Sequence, residues 1–138
     1  MSVIENLICT QPDGSISFGN HQLTQKSKAD NFEHNGDLYK VKTFREITKL
    51  ERNGMFVYES VPGTTVHHLQ VYENELAFEV EGAEDAQITL ELQEETEYEI
   101  FVADVSVGHM KTNLGGKLSL SVELSEEAPV SVRIVKHS

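Results

Sequence analysis

Residues 75–92 read ELAFEVEGAEDAQITLEL, and their alternation decides the fold class. Leu76, Phe78 and Val80 fall on one side of an extended chain, and Glu75, Ala77, Glu79 and Glu81 on the other. Beyond Gly82, Ile88, Leu90 and Leu92 repeat the scheme. A period of two belongs to a strand with one buried and one wet face; on a helix these apolar residues would scatter round the whole surface. KLSLSVEL (117–124) and VSVRIV (130–135) alternate in the same way, with Leu118, Leu120, Val122 and Leu124, then Val130, Val132 and Ile134, inward.

The punctuation agrees. Asn53-Gly54 separates FREITKLER (44–52) from MFVYESV (55–61) and is a strong hairpin signal. Pro62-Gly63 fits the central pair of a type II turn, and Asn35-Gly36, Gly82 and NLGG (113–116) supply further turns. Strands are expected near 55–61, 64–72, 75–81, 87–92, 97–103, 105–111, 117–124 and 130–136. In the first fifty residues SISF (15–18), DNFEH (30–34) and LYKVKTF (38–44) read as strands, with Tyr39, Val41 and Thr43 on one face. QKSKADN (25–31) reads as a polar loop. FREITKLER also fits a short helix through Phe44, Ile47 and Leu50, but leads into the Asn-Gly turn and reads as a strand. The expected fold is all-β: an antiparallel, Ig-like β-sandwich over residues 54–138 with a β-rich N-terminal extension over 1–53.

Composition bounds the function. The chain has 138 residues, 23 Asp and Glu against 11 Lys and Arg, and a formal net charge of -12. That balance argues against nucleic acid or an anionic membrane as partner, since both call for clustered cations. Cys9 is the only cysteine, so no internal disulfide is possible. The N-terminal MSVIENLICTQPDG (1–14) has no basic region before a long apolar run, and nothing later is long enough to cross a bilayer. A cytoplasmic location is the expectation.

Chemistry-bearing patterns are sparse. In SVPGTTVHHLQVYE (60–73), His67 and His68 precede Glu73, and His109 to Asn113 follow later as HMKTN. These nearly imitate the cupin metal pattern of Gly, five residues, His-x-His and Glu, then His-x-x-x-Asn. Adjacent strand residues point to opposite faces, however, so His67 and His68 share one ion only if a bulge intervenes. Without one, Val66, His68 and Gln70 share a face, while His67, Leu69 and Val71 share the inward one. Cys9 has no nucleophile signature, the serines lie in no Gly-x-Ser-x-Gly elbow, and NLGGK lacks phosphate-loop spacing. The acidic runs EEAP and QEETEYE suit solvated strand faces, and neither DGS (13–15) nor EDAQ (84–87) has the oxygen spacing of an EF-hand.

Two resemblances add to this reading. MFVYESVPGTTV (55–66), YEIFVADVSVGHMKTNLGGKLSLSVEL (98–124) and PVSVRIV (129–135) together resemble the small Ig-like sandwiches appended to bacterial polysaccharide-degrading enzymes. The whole chain, GDLYKVKTFREITKLERNGMFVYESVPG (36–63) included, resembles a group of short bacterial proteins labelled endosialidase. That label implies a link to glycans. A sialidase's large propeller, Asp-box repeats and arginine triad do not fit a chain this short with no tryptophan, although Arg45, Arg52 and Arg133 number three.

The reading is therefore a non-enzymatic all-β module acting through binding or self-association. It is expected to be a homo-oligomer, because KLSLSVEL makes a poorly protected edge, with a glycan or a protein as further partner. A carbohydrate-associated accessory protein is the second reading, and a cupin-like metal-dependent enzyme the third. No catalytic, cofactor-binding or metal-ligating residue is nominated, and no cofactor is expected.

Overall fold

The Asn-Gly pairs make the turns that the sequence asks of them. Asn35-Gly36 and Asn53-Gly54 have φ of 53° and 86°, and 53° and 80°, so both central residues take the left-handed conformation of a tight hairpin. The computed structural model describes residues 6–137, so the first five residues of the stretch read for a targeting segment lie outside the described residues. The described residues hold thirteen strands and no helix. These are β1 (Ile8–Thr10), β2 (Ile16–Phe18), β3 (Ser27–His34), β4 (Asp37–Phe44), β5 (Ile47–Arg52), β6 (Met55–Val61) and β7 (Thr65–Val71). There follow β8 (Glu75–Glu81), β9 (Ala86–Glu91), β10 (Glu97–Val102), β11 (Val105–Lys111), β12 (Lys117–Val122) and β13 (Val130–Lys136).

They form two antiparallel sheets, ordered β1-β2-β7-β8-β13-β10-β11 and β12-β9-β6-β5-β4-β3. The alternating residues supply the core between them: Leu76, Phe78 and Val80 from one sheet meet Ile88, Leu90, Leu118 and Leu120 from the other, all buried. Tyr58 sits at the centre with Phe18 and Phe78 edge-on at 5.2 and 5.7 Å. FREITKLER is a turn followed by β5, with Thr48 and Leu50 buried. QKSKADN is largely strand rather than loop, because β3 begins at Ser27. As the edge of its sheet, β3 has no residue fully buried, so its sequence carries no apolar alternation.

Pro62-Gly63 also departs from expectation. The Val61–Pro62 peptide is cis, and Gly63 does not have the positive φ of a type II turn. A Cβ at Gly63 would stand 1.9 Å from the Phe44 carbonyl oxygen, so the glycine is there for room. Here the chain crosses from β6 in one sheet to β7 in the other, and Thr64 is wholly buried at the crossing. Its N–H donates to Thr48 Oγ1 (3.0 Å), whose own hydroxyl donates to the Thr64 carbonyl (2.7 Å). Its side chain meets Tyr58 Oη and Ser60 Oγ, each at 2.7 Å. Burial pushes the Tyr58 phenol well above its ordinary range, so it stays protonated within this network.

The boundary expected at residue 54 falls inside the β5–β6 hairpin turn. β1 and β2 extend one sheet beside β7, and β3, β4 and β5 extend the other beside β6, so residues 6–53 share both sheets with the remainder. A fragment of residues 54–138 would lose Phe18, Val41 and Leu50 from the core and leave Tyr58 without Phe18 on its ring and Thr64 without Thr48. Scanning calorimetry of that fragment is expected to show aggregation or no cooperative transition. A sharp, reversible melt would contradict the shared-sheet account.

Candidate functional site

Loops lie at both ends of the sandwich. The buried crossover shares one end with the links 19–26, 45–46, 82–85, 103–104 and 123–129, where a cleft of about 540 Å³ is lined by His21, Arg45, Pro62 and Glu84 among others; the remaining loops form the second, loop end. Antiparallel register brings the β1–β2, β3–β4, β5–β6 and β7–β8 turns and the links 92–96 and 112–116 to that second end. Loops carried on a rigid sandwich are where binding groups gather. Two clefts open there. One, of about 440 Å³, lies between the sheets and is lined by Phe56, Tyr72, Glu73, Glu91, Gln93 and Tyr98 among others. The second, of about 470 Å³, is lined by Asp13, His34, Asn35, Asp37 and Gln70 among others. Arg52, Val71 and Tyr72 line both, so the clefts form one groove with a waist at Arg52 and Tyr72.

The waist is built rather than loose. Tyr72 is 54% exposed, its N–H donates to the Glu75 carbonyl (2.7 Å) and its hydroxyl donates to Gln70 Oε1. Asn53 ties two loops together: its Oδ1 accepts from the Leu38 N–H (2.9 Å) and its Nδ2 donates to Asp37 (3.0 Å). At the floor, Tyr98 Oη accepts from the Gln93 N–H at 3.2 Å. The groove thus offers an aromatic face, a guanidinium, amides and carboxylates on fixed backbone.

The histidines of 60–73 do not meet. β7 has a bulge between His67 and Gln70, with His68 at φ 58°. Val66 and Leu69 are the inward residues on either side of it, so the simple alternation that put His67, Leu69 and Val71 together fails. His67 lies on the outer face and bonds Glu81 at 2.6 Å, with side chains only 12% and 6% exposed. His68, exposed, reaches Ser15 Oγ (3.2 Å) and Asp13 Oδ2 (3.3 Å) through Nδ1. That serine, histidine and aspartate are no nucleophilic triad. Ser15 Oγ donates to Asp13 Oδ1 at 2.5 Å, and both partners meet the same imidazole nitrogen, so no base is aligned behind the hydroxyl. The Ser15 hydroxyl and N–H hold the Asp13 carboxyl below its ordinary range.

The other sequence candidates also stand apart. Glu73 lies in the β7–β8 turn and His109 on β11, bonded to Glu97 at 2.8 Å. Arg45 follows β4 and Arg52 ends β5, at opposite ends of the sandwich; Arg133 stacks on Phe101 and pairs with Glu75 at 3.6 Å. Burial pushes the Cys9 thiol above its ordinary range, away from the reactive thiolate. Asp85 accepts from the Leu124 N–H and so fastens a link between strands. No protein-family model, curated protein or solved structure matches the chain.

No spacing along the sequence links Tyr72, Phe56 and Gln93, because they come from the end of β7, from β6 and from the link after β9, and only the packing of the two sheets joins them. For the histidine pair, replacement should separate structure from surface. His67→Gln should lower stability by about 1–3 kcal/mol, because buried Glu81 loses a partner. Exposed His68→Gln should change it by less than about 0.5 kcal/mol. Chemical denaturation of both variants checks this, and equal effects would refute the assignment.

Proposed function

We propose that the protein is a non-enzymatic binding module that takes an extended carbohydrate in the groove at the loop end of the sandwich. The exposed ring of Tyr72 at the waist carries this reading, with Arg52 beside it and a cleft on either side. A sugar ring has an apolar C–H face that packs on an aromatic ring, and a rim of hydroxyls that pair with planar amides and carboxylates. Gln93, Glu91 and Asn35, Asp37 stand on the two sides of that ring in the needed roles. The resemblance of the C-terminal strands to modules attached to polysaccharide-degrading enzymes points to the same ligand class. Asp13, which lines the groove, is held by Ser15 and His68 behind it. A glycan array followed by titration calorimetry tests the proposal. Tyr72→Ala should weaken the best ligand roughly tenfold or more, the scale of a central aromatic contact, with the melting temperature unchanged. Retention of no glycan, or binding indifferent to Tyr72→Ala, would overturn it.

Self-association is the second reading, favoured by one flank of the sandwich. Strand β11 is exposed along its whole length, with Val105 and Val107 63% and 58% accessible, and β12 is the edge of the facing sheet on that flank. An edge strand with apolar side chains and free backbone groups is a template for a second copy. Light scattering on gel-filtered protein should give a dimer mass that Val107→Lys reduces to a monomer. A wild-type monomer at high concentration would refute it.

A further inference from the structure

The outer face of the larger sheet holds a second constellation, well outside the groove. Glu97 opens β10, His109 lies on the neighbouring β11, and His137 follows β13 on the other side of β10. Register puts all three on one face. Tyr98 and Ile100 point into the core, so Glu97 and Glu99 point out; His109 is the cross-strand partner of Glu99. The His137 N–H donates to the Glu97 carbonyl at 2.9 Å, which fixes the backbone of His137 beside Glu97. One nitrogen from each imidazole and a Glu97 oxygen lie within 4.8 Å of one another, and the two rings are 4.6 Å apart.

We infer that Glu97, His109 and His137 form a binding site for a divalent transition-metal ion of the zinc class. Bonds of about 2.0–2.2 Å to nitrogen and oxygen place tetrahedral ligand atoms roughly 3.3 Å apart. Glu97 Oε2 and His109 Nδ1 already stand at 2.8 Å, so rotation of exposed side chains suffices to admit an ion. Glu99 adds a carboxylate behind the ring. Its Oε1 lies 4.0 Å from Nε2, the other nitrogen of His109, beyond hydrogen-bond length but within a side-chain rotation of it. A carboxylate behind a ligating imidazole holds its free N–H and orients the ring toward the metal. Two neutral nitrogens and one carboxylate suit zinc and its neighbours better than calcium or magnesium, which prefer oxygen. Three protein ligands leave the fourth position to water or to a group from a partner.

The ligands come from β10, β11 and the residue after β13, at 97, 109 and 137, so no local spacing announces them. The cupin-like pattern drew attention to His109 but supplied the wrong companions for it.

The test uses the full chain without a His-tag and titrates zinc chloride into it by calorimetry, with cobalt(II) absorption as a report on coordination. Saturation at one ion per chain is expected, and His109→Gln and His137→Gln should each weaken binding at least about tenfold. Glu99→Gln should also weaken it by about tenfold, the usual effect of losing an orienting carboxylate. All four side chains lie at the surface, so circular dichroism of these variants should match the parent. His68→Gln, in a different cluster, should leave affinity unchanged. Absence of saturable binding, full affinity in His137→Gln, or an equal loss in His68→Gln would overturn the assignment.

Discussion

Thr64 stands where the chain leaves one sheet for the other, and its hydrogen bonds set how the two sheets meet. Its backbone is held by Thr48 of β5 and its hydroxyl by Tyr58 and Ser60 of β6, while β7 begins at the next residue. The chain continues outward, since Thr43 of β4 bonds Thr48 (2.8 Å) and accepts from the Asn20 N–H (2.9 Å). A buried polar group is tolerated only when paired, and here every hydroxyl is used. Gly63 and Gly19 allow the approach, because a Cβ at either would strike backbone oxygen of Phe44 or Thr64. The aromatic core depends on the same point, since Tyr58 carries Phe18 and Phe78 on its ring while its hydroxyl reaches Thr64.

The crossover anchors one end of the sandwich, and the groove opens at the other. The turns at the loop end need only finish their hairpins, so their side chains face solvent without harming the core. The result is a groove whose walls are stiff and whose lining is polar, with one exposed aromatic residue at the waist. The groove's acidic residues sit where solvated carboxylates cost little and hydroxyl-bearing ligands find acceptors.

The bulge in β7 shows how one residue redirects a surface. With an extra residue between paired positions, Val66 and Leu69 both reach the core, and His68 swings toward Asp13 and Ser15. Charge is redistributed in a similar way. A chain with net charge of -12 still lines up Lys28, Lys42 and Lys49 as direct cross-strand neighbours on β3, β4 and β5. Like charges so placed repel. Net charge is a sum over the chain, whereas a partner meets only a face of it.

The sequence by itself determined the all-β class, the eight strands from residue 55 onward and the two Asn-Gly hairpins. Period-two alternation and left-handed turn residues are local physics, and ELAFEVEG or KLSLSVEL can satisfy them in only one way. The edge strand β3 was less legible: it is at most half-buried and is broken by a bulge between Ala29 and Phe32, so SKADNFEH carries no regular apolar alternation. Only tertiary structure decided that residues 6–53 complete both sheets, because pairing across the β5–β6 turn depends on partners elsewhere in the chain. The same holds for the sites. Tyr72 and Arg52 come to one groove through the packing of the two sheets, and Glu97 meets His109 and His137 through cross-strand register; both are relations between distant segments that no spacing along the chain contains.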